Sequence, residues 1–115
     1  MLAANYDITL DRAADYSFVL TIQNQAGAAV DLTGAQFYAD VREVASKKEA
    51  LELTTGIISP ATGGQVLLSL TNEETKTLRA GEGLYSYDIF MVLGAATRRL
   101  LYGAVNVRPQ FTNDV

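Results

Sequence analysis

Apolar and polar side chains alternate with a period of two along most of this chain. In residues 6–11, Tyr6, Ile8 and Leu10 share one side of an extended segment while Asp7, Thr9 and Asp11 share the other, which predicts a half-buried strand. Residues 16–23 repeat the pattern, with Tyr16, Phe18, Leu20 and Ile22 against Ser17, Val19, Thr21 and Gln23, until the polar, glycine-containing NQAGA ends the run. A third strand sets Phe37, Ala39 and Val41 opposite Gln36, Tyr38, Asp40 and Arg42. The following EVASKKEALEL carries no sustained helical stripe and reads as a loop leading into a short strand near residues 51–54. In GIISPATGGQ the breakers Pro60 and Gly63-Gly64 mark a turn into VLLSL, where Val66, Leu68 and Leu70 alternate with Leu67 and Ser69.

One helix interrupts the series. Thr71 as N-cap and Glu74 three residues later have the spacing of a capping box, in which each side chain satisfies the other residue's free backbone N–H. Acidic Glu73 and Glu74 come first and basic Lys76 and Arg79 later, which suits the helix dipole, so a helix of about two turns is expected near residues 72–79, stopped by Gly81 and Gly83. LYSYDIFMVL then places Tyr85, Tyr87, Ile89 and Met91 on one face of a central strand, and GAAT connects it to RRLLYGAVNV. In that last strand Leu101, Gly103, Val105 and Val107 oppose Leu100, Tyr102, Ala104 and Asn106. About seven strands with one short helix before the penultimate one predict an all-β, immunoglobulin-like antiparallel β-sandwich, with closure into a small barrel as the alternative. No internal repeat or linker divides the chain, so one domain over residues 1–115 is expected, with extended termini at 1–5 and 110–115.

Composition narrows the functional classes. Over 115 residues, 49% hydrophobic and 19% charged content is that of a chain with one core, and excludes a disordered one. Nine basic residues, scattered, against thirteen acidic ones give a net charge of −4 and no basic patch for nucleic acid. With no Cys there is no disulfide, thiolate metal site or thiol nucleophile, and with no His the commonest general base and metal ligand is missing. Asp7, Asp11, Asp15, Asp31, Asp40 and Asp88 form no catalytic or calcium-binding signature and read as solvated or turn-capping, while TGGQ and AGEG lack the setting of a phosphate loop. The sequence therefore predicts no catalytic residue, no metal ligand, no cofactor and no enzyme activity. The N-terminus has no basic segment followed by an apolar core, and no run approaches the roughly 18 apolar residues that span a bilayer, so no membrane partner is expected; in the absence of a catalytic signature no small-molecule substrate is expected either.

The residues singled out are structural. In the VDLTG corner, Val30 and Leu32 are expected as buried anchors around Asp31, Thr33 as the cap of the turn, and Gly34 as the residue taking a conformation a Cβ resists. Tyr85 and Tyr87, after a glycine-rich turn, are candidates for a tyrosine corner, and stacking on a sugar is the alternative use for such rings.

Four segments carry a resemblance: YDITLDRAADYSFVLTI, AAVDLTGAQFYADVRE, GGQVLLSLTNEETKTLRAGEGLYSYDIFM and RRLLYGAVNVRP. Together they resemble the small β-sandwich modules of tailed-bacteriophage virions, in particular the N-terminal domain of baseplate upper proteins and small structural proteins that consist of little else. The shared pattern is an extended start, a (P)VDLTG corner, an LT..ET..L..G.Y.YDI middle and a final G.V.V.P strand, and it covers nearly the whole chain. Here Ala29 stands where proline is frequent and Gly81-Glu82-Gly83 where a shorter turn is usual, and no C-terminal extension of the kind that carries stalk and receptor-binding regions is expected. The resemblance implies a non-enzymatic virion protein, made in the bacterial host cytoplasm. Its partners would be other phage structural proteins and copies of itself in a symmetric assembly, with a tail or baseplate adaptor favoured. A capsid cement or decoration protein and a host-surface glycan- or protein-binding module are the alternatives.

Overall fold

The computed structural model describes residues 3–112. Its strands are β1 (Ala4–Asn5), β2 (Ile8–Asp11), β3 (Tyr16–Thr21), β4 (Gln36–Glu43), β5 (Glu49–Glu52), β6 (Thr54–Ile57), β7 (Gln65–Leu70), β8 (Gly81–Leu93) and β9 (Ala96–Arg108). A 3-10 turn (Ala61–Gly63) and a single-turn helix α1 (Asn72–Thr75) complete the elements. One sheet has the order β1-β9-β8-β4-β5, with β2 also on β9, and the other is β3-β7-β6. With β3 taken as strand B, these are the B-E-D and G-F-C-C′ orders of the immunoglobulin sandwich, so the fold is an all-β, immunoglobulin-like sandwich.

The alternating residues meet between the sheets. Ile8 and Leu10 from β2, Ala39 and Val41 from β4, Val66, Leu68 and Leu70 from β7, and Tyr85, Tyr87, Ile89 and Met91 from β8 form one cluster with Val105 and Val107 of β9. Because period-two alternation sends one set of side chains to each face, the opposite sets lie on the outer surfaces. The molecule measures 45 × 28 × 20 Å. Its length comes from the β8–β9 hairpin, whose 13-residue strands reach about 44 Å at the usual rise.

Four expectations need correction. First, the strand foreseen near residues 51–54 is two strands in different sheets. β4 turns back into β5, and at Leu53, whose N–H donates to the Ala39 carbonyl at 2.8 Å and whose side chain is buried, the chain crosses to the other sheet as β6. Second, α1 has one turn and ends at Thr75, because the next residues fold into tight turns: Thr77 N–H bonds the Glu74 carbonyl and Leu78 N–H the Thr75 carbonyl, three residues back in each case. Third, the first strand is broken at Tyr6 and Asp7, and its two pieces run parallel to β9, so the sandwich is not wholly antiparallel. Fourth, Leu100 does not share the outward face of Tyr102. Ile89 pairs with Leu101 and Phe90 with Arg99, which leaves Leu100 as a bulge residue and buries Leu100 and Leu101 together.

Candidate functional site

The VDLTG corner is a turn held by a carboxylate. Asp31 Oδ1 accepts from the Thr33 N–H at 3.0 Å and from the Thr33 hydroxyl at 2.6 Å, so Asp31, and not Thr33, caps it. These bonds hold the Asp31 carboxyl below its usual range. Leu32 is fully buried and Val30 half-buried, while Ala35 N–H closes the turn on the Leu32 carbonyl at 2.9 Å. Gly34 has φ +79, and a Cβ there meets nothing within 4 Å, so its requirement is conformational and not steric. Gly34→Val is expected to cost about 1–2 kcal/mol, the penalty of a left-handed residue with a Cβ, and thermal melting of the variant checks it.

The two tyrosines do different work. Tyr85 is buried, and its hydroxyl accepts the Arg79 N–H at 2.9 Å, tying β8 to the backbone six residues upstream as a tyrosine corner does. Tyr87, also buried, donates its hydroxyl to the Tyr6 carbonyl. That bond spans the break between β1 and β2, where the Ala104 N–H of β9 turns to the Asp7 carboxylate at 3.0 Å. Burial in the core, and then the nearby Tyr16, Tyr6 and Asp7, push the Tyr87 phenol above its ordinary value. An acid raised on folding contributes stability below its unfolded pKa, about 10 for tyrosine, and loses it as pH rises beyond. Denaturant titrations are therefore expected to show alkaline destabilisation beginning near that pH. Tyr87→Phe would weaken this loss and cost about 1–2 kcal/mol at neutral pH by leaving the Tyr6 carbonyl unpaired.

At the same end of the sandwich the capping box is complete. The Glu74 N–H donates to Thr71 Oγ1 at 3.2 Å and the Thr71 N–H to Glu74 Oε1 at 2.9 Å. Thr75 is fully buried and its hydroxyl donates to the Ala14 carbonyl, while the Asn72 N–H donates to Asp15 at 2.7 Å. This docks α1 on the turn between β2 and β3. Thr71, Glu74 and Asp15 are thus committed to local structure.

The outer face of the larger sheet carries the charged side chains. Asp40 of β4 and Asp88 of β8 lie directly across from one another, each with its own cation: Arg42 at 2.9 Å from Asp40 and Arg99 at 3.5 Å from Asp88. The Arg99 guanidinium also lies 4.6 Å above the Tyr102 ring. A shallow groove of about 460 Å³ runs among these residues. Exposed pairs of this kind contribute about 0–1 kcal/mol each, so they leave the groove free to exchange partners. The β4–β5 hairpin adds a group that sequence reasoning missed, because the pairing of Asp40 with Glu52 depends on β5. Asp40, Glu49 and Glu52 have carboxylate oxygens within 4.8 Å of one another. Desolvation first, then the Asp40 and Glu52 charges and a hydrogen bond with Asp40, raise the Glu49 carboxyl, and Arg42 opposes them. A second, more apolar cleft of about 350 Å³ lies between the β8–β9 hairpin and Ile22, with Val30, Met91 and Arg98 in its walls. The groove offers both charge signs and an aromatic face. Among the described residues no helix is long and apolar enough to cross a membrane.

No protein-family model and no curated protein matches the chain. Among solved structures it is similar to the N-terminal Ig1-2 module of the Drosophila receptor protein tyrosine phosphatase DLAR. Identity is 12% and the TM-score 0.46, over 95% of this chain and 48% of that one. The chain thus spans about half the length of that module.

Proposed function

We propose that this chain is a non-enzymatic structural component of a tailed-bacteriophage particle, docking on other virion proteins and on copies of itself as a tail or baseplate adaptor. The observation that carries the reading is the motif set of the resemblance: VDLTG at residues 30–34, the ET..L..G.Y.YD stretch and the closing G.V.V.P strand. In the fold these motifs shape a corner, a capped turn and a parallel strand junction, and of their residues Asp88 faces the outer groove. A protein whose distinctive residues mostly serve its frame is suited to assembly, where the working surface is the outside of the sandwich. Multiple copies in a closed symmetric arrangement follow from that role. Its place of work would be the virion, after synthesis in the host cytoplasm.

The charged groove around Asp40, Arg42, Asp88 and Arg99 favours a second reading, a module that binds a host-surface glycan or protein. Cryo-electron microscopy of intact particles tests the first. Density for this sandwich at the tail or baseplate supports it, density on the capsid shifts it to a cement or decoration protein, and its absence from purified particles overturns it. Saturable binding of the isolated chain to host cells would favour the second.

A further inference from the structure

Among the described residues β3 pairs with β7 alone, so its other side is an open sheet edge. The Ile22 N–H donates to the Gly64 carbonyl at 2.7 Å, on the β7 side. By the two-residue alternation of an antiparallel ladder, Tyr16, Phe18 and Leu20 also turn their backbone groups to β7, and Ser17, Val19 and Thr21 turn theirs outward. The inward side chains along this edge are apolar and incompletely covered: Tyr16, Phe18 and Leu20 are all only half-buried. Tyr6, at the break between β1 and β2, leans across the opening with its ring 6.3 Å from that of Phe18, and is itself 52% exposed. An unpaired backbone edge above an apolar trough fits an added strand that supplies hydrogen bonds and one or two apolar side chains.

The tail offers such a strand. Residues 109–112, which follow β9, are irregular, and Phe111 is 92% exposed, the most exposed large apolar side chain among the described residues. Its own tail is held elsewhere, by Arg12 donating to Gln110 Oε1 at 2.6 Å. The edge residues from Tyr16 to Thr21, with Tyr6, carry no charge, and neither do residues 109–112, so the two segments meet without like charges between them while Asp7 and Asp15 lie at the flanks. We infer that the vacant position beside β3 receives the Phe111 segment of a second copy of this chain, with the Phe111 ring packing next to Phe18. The inference deepens the assembly reading above and rests on it, by naming the edge and the strand through which copies join.

Sedimentation equilibrium and hydrogen exchange on the full chain test it. Wild-type protein is expected to self-associate, with the amides of Ser17, Val19 and Thr21 becoming protected as it does. Phe111→Ser, on an exposed side chain, and Val19→Pro, which removes only an outward N–H, should each weaken association about tenfold or more. Mixing the two variants should restore it in part, since one retains the tail and the other the edge. Leu67→Ser, on the outer face of the same sheet, should change nothing. A monomeric wild type, unchanged association in Phe111→Ser, or a loss in Leu67→Ser equal to that in Val19→Pro would overturn the inference. Incorporation into particles, read by mass spectrometry, reports on the virion role separately.

Discussion

Gly103→Val is expected to lower stability by about 3 kcal/mol or more and to release the N-terminal strands from β9. A Cβ on Gly103 would meet the Tyr6 carbonyl oxygen and lie 2.8 Å from its carbon and 2.9 Å from Asp7 Oδ1. These are backbone atoms and a carboxylate already bound by Ala104 N–H, so no flexible side chain can give way. The Tyr6 carbonyl is in addition the acceptor for Tyr87, so pushing it outward also breaks a buried hydrogen bond. Overpacking at a yielding site costs about 1–3 kcal/mol, and this site adds an unpaired phenol to that. Against a typical total of about 5–15 kcal/mol the variant would be marginal. Denaturant unfolding measures the loss, and hydrogen exchange should show it concentrated in β1, β2 and their neighbours on β9. Gly56→Ala is the matched control: it also lies in a strand, but a Cβ there meets nothing within 4 Å, so no loss is expected. Equal losses at Gly103 and Gly56 would refute the steric account.

Leu32→Ala should cost about 2–5 kcal/mol, whereas Asp31→Ala, one residue earlier in the same corner, should cost little. Leu32 is fully buried in the cluster between the sheets, and truncation leaves a cavity that the strands around it cannot collapse to fill. Asp31 is exposed, and its bonds to Thr33 lie on the surface, where water replaces them. The contrast can be read from two melting curves. It also bears on what the corner is for: a recognition loop would make Asp31 matter to binding, whereas a hydrophobic anchor makes Leu32 matter to folding.

The sandwich was legible wherever one face of a strand is buried and the other wet. Val66, Leu68 and Leu70, or Tyr85, Tyr87, Ile89 and Met91, announce their strands by alternation alone, because the period of two is the strand's own geometry. What stayed hidden depends on long-range pairing. Leu53 looks like one more residue of a short strand, yet it is where the chain leaves one sheet for the other, and only the positions of β4 and β7 decide that. The break at Tyr6 is equally silent, since alternation runs through it; its cause is a contact with Tyr87 and Gly103, at least eighty residues away in sequence. The Leu100 bulge escapes for the same reason. Of the surfaces, the groove was half visible, in Asp40 and Asp88 as outward residues, while the open edge of β3 could not be seen without knowing which strands are absent beside it.

The parallel pairing of β1 and β2 with β9 has a mechanical consequence. Ala4 lies beside Leu101 and Asp11 beside Arg108, so the chain enters and leaves this strand pair at opposite ends. Tension applied through residues 4 and 108 therefore runs along the strands and across their hydrogen bonds. Those bonds are loaded in shear, all at once, and cannot be peeled apart one after another as in a hairpin pulled from its open end. The buried Tyr87 hydroxyl on the Tyr6 carbonyl pins this seam from the core side, whereas the exposed Arg108–Asp11 pair at its end adds little. A module built this way is expected to resist extension along its length better than a hairpin pulled from its open end, which force spectroscopy through residues 4 and 108 checks.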